Sequence, residues 1–184
     1  LEATKNTREF VLDGEVVYAV CTADSEPTIA YERQHDDSVA VKERNRVFKT
    51  HYRKGPRLIK AVKYDTGELL WSRKSSVQTL SLAVEDDRLV YHNDECVVCL
   101  DTESGTEVWK SEEVGAGHKY MFGRSANMVI HDDGVLYSTT EKTVHAFSLE
   151  DGKTLWEASR PRTGHRSAQD LFVIDDRVWY GETA

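Results

Sequence analysis

A fixed spacing between glycine and tryptophan recurs three times along the chain and limits the folds that it can adopt. The glycine is followed by a tryptophan four residues later in three pairs: Gly67 and Trp71, Gly105 and Trp109, Gly152 and Trp156. Each pair follows an alternating, strand-like segment and an acidic turn, which contains Asp101 in the second copy. Recurrence of this kind indicates a repeat architecture, in which neighbouring units bury a shared core.

A second motif precedes each of these units and also occurs near the end of the chain. A hydrophobic segment meets a short turn rich in Asp or Gly, and the chain continues into a second hydrophobic segment that ends in Tyr. The four copies begin at Phe10, Leu82, Met128 and Leu171. Asp and Gly suit the turn because they tolerate positive φ or bond to their own backbone. Each copy therefore predicts a β-hairpin.

Joined in sequence order, the two motifs predict units of four short antiparallel strands. Successive tryptophans of the repeat are 38 and 47 residues apart, close to the roughly 40–50 residues of a propeller blade. A sustained 3.6-residue apolar period is missing from the sequence, which argues against a helical solenoid. A generic β-sandwich is the alternative. Two motifs recurring in the same order favour an all-β fold, a β-propeller of four-stranded antiparallel blades whose tryptophans supply contact area between neighbours.

The repeat resembles that of a known group of propellers. Val-Tyr after an Asp turn, followed by Tyr/Leu-Asp-x-x-Thr/Ser-Gly-x-x-x-Trp, is similar to the repeat of β-propellers of the pyrroloquinoline-quinone (PQQ) type, over roughly residues 8–23 and 57–184. The resemblance implies two functional classes: quinoprotein dehydrogenases, and non-enzymatic scaffolds that include the lipoprotein helping to insert outer-membrane barrels. It also implies an extracytoplasmic location, periplasmic or secreted.

The repeat also predicts how the chain is divided. We expect one propeller domain over residues 1–184, with blades at about 8–75, 77–112 and 126–159, a partial blade at 170–184, and an insertion over 32–57 in the first blade. Three and a half blades are fewer than the four to eight with which propellers close. The chain is therefore predicted to be a fragment of a longer propeller, or to pair its open edges with another copy.

Composition argues against several function classes. The net charge of −8 does not suit a general nucleic-acid binder, which needs an excess of Lys and Arg. The sequence contains no apolar run near the roughly 18 residues of a membrane helix. The three cysteines, Cys21, Cys96 and Cys99, are too few for a disulfide framework.

Cys96 and Cys99 form a Cys-x-x-Cys motif, a spacing that redox and zinc sites also use. Both cysteines fall on a predicted strand, where side chains alternate and residues three apart point to opposite faces. A disulfide or a zinc site needs both sulfurs on one side. We therefore interpret the motif as two strand residues.

The dehydrogenases that the repeat resembles hold their quinone beneath a disulfide between adjacent cysteines and use calcium with an acidic catalytic residue. The sequence has no adjacent cysteine pair, and no position matches the calcium ligands or the base. PQQ and calcium are therefore expected only if the chain is part of a dehydrogenase. No catalytic, cofactor-binding or metal-binding residue is assigned.

Arg, His and Ser recur in the connections that lead into the inner strands. The candidate ligand-face residues are Arg124, Ser125, His165, Arg166 and Ser167. In a propeller these connections lie on one face around the central channel, where such side chains would form a ring suited to an anionic ligand or an acidic peptide. The alternative is a recurring structural loop in which Arg pairs with an Asp of a neighbouring blade and Ser caps a turn.

The insertion over residues 32–57 differs in charge from the rest of the chain, because it has eight basic residues and four acidic ones. We expect it to project from the rim, where loops often carry interaction sites. An acidic protein surface or an anionic glycan is the expected partner, and a solvated loop without a partner is the alternative.

Together these features favour a non-catalytic β-propeller module for binding or assembly. The second hypothesis is a piece of a quinone- and calcium-dependent alcohol or sugar dehydrogenase.

Overall fold

A computed structural model of the chain describes residues 2–22, 57–78, 80–114, 127–138, 143–159 and 171–180. Apart from a 3-10 helix at Glu2–Thr4, the regular structure in these ranges is β-strand. The strands, numbered in chain order, are β1 Thr7–Asp13, β2 Val16–Thr22, β3 Arg57–Lys63, β4 Leu69–Ser75, β5 Ala83–Glu85, β6 Arg88–His92, β7 Cys96–Asp101, β8 Glu107–Glu113, β9 Asn127–His131, β10 Gly134–Ser138, β11 Thr143–Ser148, β12 Thr154–Ser159, β13 Leu171–Ile174 and β14 Arg177–Tyr180.

The strands pair as successive antiparallel sheets in chain order. β1–β4, β5–β8 and β9–β12 each form a four-stranded sheet, and β13 pairs with β14. We refer to these four sheets as blades 1 to 4. The prediction of an all-β fold made of four-stranded antiparallel blades is confirmed.

The turn between the first two strands of each blade has the same backbone geometry. Its first residue has positive φ in all four blades: Gly14 (52°), Asp86 (51°), Asp132 (48°) and Asp175 (49°). Gly and Asp are among the residues that enter this left-handed region at least cost, which explains why the hairpin motif carries them at this point.

The turn between the third and fourth strands closes on a glycine in the three complete blades. Gly67, Gly105 and Gly152 have φ between 68° and 73°, and each donates its N–H to the carbonyl four residues earlier at 2.9 Å. In each blade the residue three before this glycine donates its backbone N–H to a carbonyl in the turn between the first two strands. These acceptor carbonyls belong to Glu15, Asp87 and Asp133. The two turns at this end of each blade are therefore fixed to each other.

The repeated tryptophans join one blade to the next through a hydrogen bond. The indole N–H of Trp71 in blade 1 donates to the carbonyl of Thr102 in blade 2, at 2.8 Å. The indole N–H of Trp109 in blade 2 donates to the carbonyl of Leu149 in blade 3, at 2.7 Å. In both cases the acceptor lies three residues before the turn glycine of the next blade.

Each of these indole rings also covers the turn glycine of the next blade. A Cβ atom built on Gly105 would lie 2.7 Å from the Trp71 ring, and one built on Gly152 would lie 2.4 Å from the Trp109 ring. Both glycines are buried, whereas Gly67, which has no preceding described blade, is only half-buried. Glycine is required at the two covered turns by its positive φ and by the closeness of the ring.

Hydrophobic residues fill the spaces between successive blades and form three clusters. Tyr18 and Ile59 of blade 1 pack with Leu89 of blade 2 in the first cluster. Val90 and Trp109 lie in the second, between blades 2 and 3, and Leu136 and Leu171 lie in the third, between blades 3 and 4. Because blades 2 and 3 bury both of their faces against neighbours, the core is distributed along the row of blades.

We expect Gly105→Ala to destabilise the protein far more than Gly14→Ala. Both glycines have positive φ, which costs an L-residue about 1–2 kcal/mol, but a Cβ on Gly14 has no atom within 4 Å. At Gly105 the collision with Trp71 adds about 1–3 kcal/mol of overpacking. Urea unfolding of both variants measures the difference, and equal losses would show that the indole can move aside without cost.

Candidate functional site

The residues predicted for a ligand face are not among those the structure describes. Arg124, Ser125, His165, Arg166 and Ser167 all lie outside the described ranges, as does the insertion apart from its last residue. That last residue, Arg57, is the first residue of β3 and is only 5% exposed. Arg57 therefore belongs to blade 1, and the basic character of the insertion rests on the residues before it.

The two cysteines of the Cys-x-x-Cys motif lie on opposite faces of β7. Cys96 packs in the cluster between blades 1 and 2, and Cys99 packs in the cluster between blades 2 and 3. Burial raises the pKa of the Cys99 thiol from 9.0 to about 12 and also raises the pKa of Cys96. Both groups are therefore neutral thiols that fill space between blades, and neither is activated as a nucleophile.

A half-buried carboxylate ties blade 1 to the segment that leads into blade 2. Glu9 accepts the backbone N–H of Leu80 at 2.7 Å and that of Leu82 at 2.9 Å. Desolvation raises the pKa of Glu9, and the two amide hydrogen bonds oppose this shift. Both carboxylate oxygens are occupied by the backbone, so Glu9 has a structural role.

A polar cluster lies between blades 2 and 3. The His92 ring stacks on the Tyr137 ring with centroids 4.6 Å apart, and His92 Nε2 lies 2.6 Å from the carbonyl of Val114. The N–H of Asp94 donates to His92 Nδ1, so Nε2 carries the imidazole proton. Among the residues that the structure describes, the buried Tyr137 hydroxyl has no hydrogen-bond partner, and burial together with the charge of Asp94 raises its pKa. Because His92 and Tyr137 are inaccessible, this cluster stabilises the blade contact.

One described group combines a histidine with carboxylates. His131 Nε2 lies 3.5 Å from Asp132 Oδ2 and 3.4 Å from Asp176 Oδ1, which joins the hairpin turns of blades 3 and 4. Each of the three residues offers one side-chain atom that could bind a metal ion, and these atoms lie within 4.8 Å of one another. Both aspartates are exposed. Contacts between exposed polar side chains of this kind contribute little to stability.

Blade 1 exposes apolar residues on the face turned away from blade 2. We call Phe10 and Leu12 the first end surface; they are 67% and 58% exposed. The residues at the position of Phe10 in the later blades, Leu82, Met128 and Leu171, are all buried against the preceding blade. The first end surface therefore has the chemistry of a blade contact that remains open.

Blade 4 exposes apolar residues at the other end of the row. We call Phe172, Ile174 and Trp179 the last end surface; Trp179 is 49% exposed. The residues at the position of Trp179 in blades 1 to 3, Tyr18, Val90 and Leu136, are all buried against the next blade. Trp156 of blade 3 is also open, at 40% exposure, because the described part of blade 4 provides no turn for its indole.

These observations define the class of protein. Four-stranded antiparallel blades follow one another, and Trp71 and Trp109 each dock on the glycine turn of the next blade, which is the construction of a β-propeller. The family model described as outer membrane protein assembly factor BamB, a PQQ-type repeat model, matches residues 5–179. The chain belongs to this family.

Solved structures share the fold at low sequence identity. BamB from Moraxella catarrhalis is 19% identical with a TM-score of 0.54, over 68% of this chain and 43% of that chain. The computationally designed Ika4 protein is 17% identical with a TM-score of 0.57, over 96% and 84%. A europium-containing methanol dehydrogenase is 14% identical with a TM-score of 0.52, over 87% and 26%. The chain thus spans less than half of the BamB chain. The curated proteins contain no match to it.

The described residues do not fit the quinone site that the resemblance implies. That site needs adjacent cysteines joined as a disulfide, whereas Cys96 and Cys99 face different blade contacts and Cys21 lies in blade 1. The half-buried carboxylate of Glu9 is bound by backbone amides. No helix in the described ranges is long and apolar enough to cross a membrane.

Sequence reasoning did not single out the two end surfaces. A signal was available, because aligning the four hairpin motifs places Phe10 and Trp179 at positions that pack against a neighbouring blade elsewhere in the repeat. The structure shows that the other described residues leave them exposed.

We expect the buried Cys99 thiol to make stability depend on alkaline pH. Its folded pKa of about 12 exceeds the ordinary value of 9.0, so its stabilising contribution is complete below pH 9 and is lost as pH rises from 9 towards 12. Relative to Cys99→Val, wild-type unfolding free energy should fall by about 1.4 kcal/mol per pH unit in this range. Urea unfolding at pH 7 to 11 measures the effect. Parallel profiles for the two proteins above pH 9 would contradict it.

Proposed function

We propose that this chain is a non-catalytic β-propeller module that binds other macromolecules and acts in assembly. The observation that carries the proposal is the pair of end surfaces, which expose large apolar side chains at positions buried in every internal blade contact. Exposed apolar patches of this kind mark protein interaction sites.

The structural contacts made by the reactive side chains support a binding role. Cys99 is a buried thiol with a raised pKa, Glu9 is bound to two amides, and the His92 imidazole is hydrogen-bonded through both nitrogens. Each of these groups contributes to contacts within or between blades. The family's assembly-factor description is consistent with the same role.

We further propose that the basic insertion over residues 32–57 contributes a second binding surface, for an acidic protein surface or an anionic glycan. Its charge is opposite to that of the chain as a whole, so it would attract anionic partners that the rest of the surface repels. The ring of Arg124, Ser125, His165, Arg166 and Ser167 is proposed as a ligand face of the same anionic preference. An extracytoplasmic location is proposed from the family.

Deleting residues 34–54 should abolish retention on a heparin column, the probe for an anionic glycan, without unfolding the protein. β2 and β3 pair along their length on both sides of the insertion, so the blade should keep its far-ultraviolet circular dichroism. A full-length variant with Lys42, Arg44, Arg46 and Lys49 changed to Gln serves as the matched control for length. Unchanged retention of both variants would rule out the insertion as a binding surface.

A quinone-dependent dehydrogenase is the alternative function, because solved structures of similar fold include a europium-containing methanol dehydrogenase. Equilibrium dialysis against PQQ and Ca²⁺, followed by a dye-linked alcohol oxidation assay, separates the two functions. We expect no stoichiometric uptake and no turnover, with a quinoprotein apoenzyme as the positive control. Binding of one quinone per chain would favour the enzyme.

A further inference from the structure

We propose that His131, Asp132 and Asp176 form a binding site for a divalent first-row transition ion, and that Zn²⁺ is its occupant. The site joins the hairpin turn of blade 3 to the hairpin turn of blade 4. It uses no residue of the end surfaces or of the insertion, so it goes beyond the proposed binding role and is tested independently of it.

The repeat brings the two hairpin turns together. His131 is the last residue of β9, and Asp132 begins the turn that leads into β10. Asp176 ends the turn between β13 and β14. Because β9 contacts β13, these two turns are neighbours at the same end of their blades. Three side chains that can bind a metal ion therefore come from two successive units of the fold.

The distances between the three groups are those of ligands that share one ion. His131 Nε2 lies 3.5 Å from Asp132 Oδ2 and 3.4 Å from Asp176 Oδ1. Zn²⁺ lies about 2.0–2.2 Å from nitrogen and oxygen ligands, so two ligands of one tetrahedral ion are about 3.3–3.6 Å apart. A well-formed N–H···O hydrogen bond is shorter, at about 2.7–3.2 Å. The position of the imidazole therefore fits a shared ion better than a pair of hydrogen bonds.

The charges of the group are unbalanced without a cation. Two carboxylates converge on one imidazole, which leaves a net negative charge even when the imidazole is protonated. Within the described ranges, neither aspartate forms an ion pair with a Lys or an Arg. Contacts between exposed side chains add little to stability, so the stability of the fold does not account for this convergence. A divalent cation would balance both carboxylates.

The donor atoms favour a particular class of ion. Imidazole nitrogen suits Zn²⁺ and its first-row neighbours, whereas Mg²⁺ and Ca²⁺ are bound through oxygen. Zinc sites with three protein ligands keep a further position for water. The side chains of Asp132 and Asp176 are 80% and 92% exposed, so that position would be open to solvent.

The histidine distinguishes this blade contact from the others. The position of His131 holds Asp13 in blade 1, Glu85 in blade 2 and Ile174 in blade 4, so the turn itself does not require an imidazole. In the part of the chain that the structure describes, three such ligand atoms come together only at the contact between blades 3 and 4. The nitrogen ligand is thus specific to the proposed site.

The test measures Zn²⁺ binding to the untagged, chelator-treated chain by isothermal titration calorimetry. His131→Gln and Asp176→Asn each remove one ligand. Asp133→Asn is the charge-matched control for Asp176→Asn, because Asp133 lies in the blade 3 turn and is not a member of the group. His145→Gln is the control for His131→Gln, because His145 of blade 3 pairs with a single carboxylate, that of Glu157, at 3.6 Å. Circular dichroism verifies that each variant is folded.

We expect wild type and both controls to share one Zn²⁺ site of the same affinity. Each ligand variant should lose at least tenfold in affinity at this site, since loss of an outer-shell partner alone costs about 10–100-fold. Zn²⁺ should also raise the Tm of wild type and of the controls more than that of the ligand variants, because the ion binds two turns that meet only in the folded chain.

Absence of Zn²⁺ binding by wild type would overturn the proposal, and so would wild-type affinity in both ligand variants. An equal loss of affinity in Asp133→Asn and Asp176→Asn would also overturn it, because the ion would then respond to the general charge of the turns. Displacement of Zn²⁺ by an equal concentration of Ca²⁺ would overturn the assigned class of ion. Heparin retention and quinone uptake report on the proposed function separately.

Discussion

The docking of an indole on the glycine turn of the next blade is the interaction on which the rest of the fold depends. It combines a hydrogen bond from Trp71 to the Thr102 carbonyl with contact between the ring and Gly105, and Trp109 repeats both on blade 3. An aromatic side chain of this size contributes a large apolar area. Because the acceptor carbonyl is held by a turn of fixed geometry, each contact also sets where the next blade lies.

The repeat could be predicted from sequence because its key residues have no common substitutes. A left-handed turn under an indole needs glycine, and the contact between blades needs the large ring. The spacing from Gly105 to Trp109 can therefore be recognised in the sequence. The acceptors of the indole hydrogen bonds are backbone carbonyls, which carry no residue signature. The role of Glu9 has no recognisable sequence pattern either, because its carboxylate binds backbone amides 71 and 73 residues away. Arg57 looked like part of a basic segment, whereas β3 buries it.

The side chains that most suggest chemistry in this chain are engaged in contacts that hold the blades together. The Cys-x-x-Cys motif, the most suggestive pattern for chemistry, is divided between two apolar clusters by strand alternation. His92 and Glu9 use their hydrogen-bonding capacity on the backbone. Exposed apolar side chains lie at both ends of the row of described blades, and it is these surfaces that support a binding role.

Blade 2 contains both partners of the docking contact, a glycine turn that receives an indole and a tryptophan that docks on the next turn. A duplicated blade therefore brings a receiving turn for the blade before it and a docking ring for the blade after it. Insertion of such a copy between two existing blades leaves no contact unmatched. Lineages built on this unit can change their blade number by tandem duplication without evolving a new interface, and only the terminal blades need to adapt to a changed ring size.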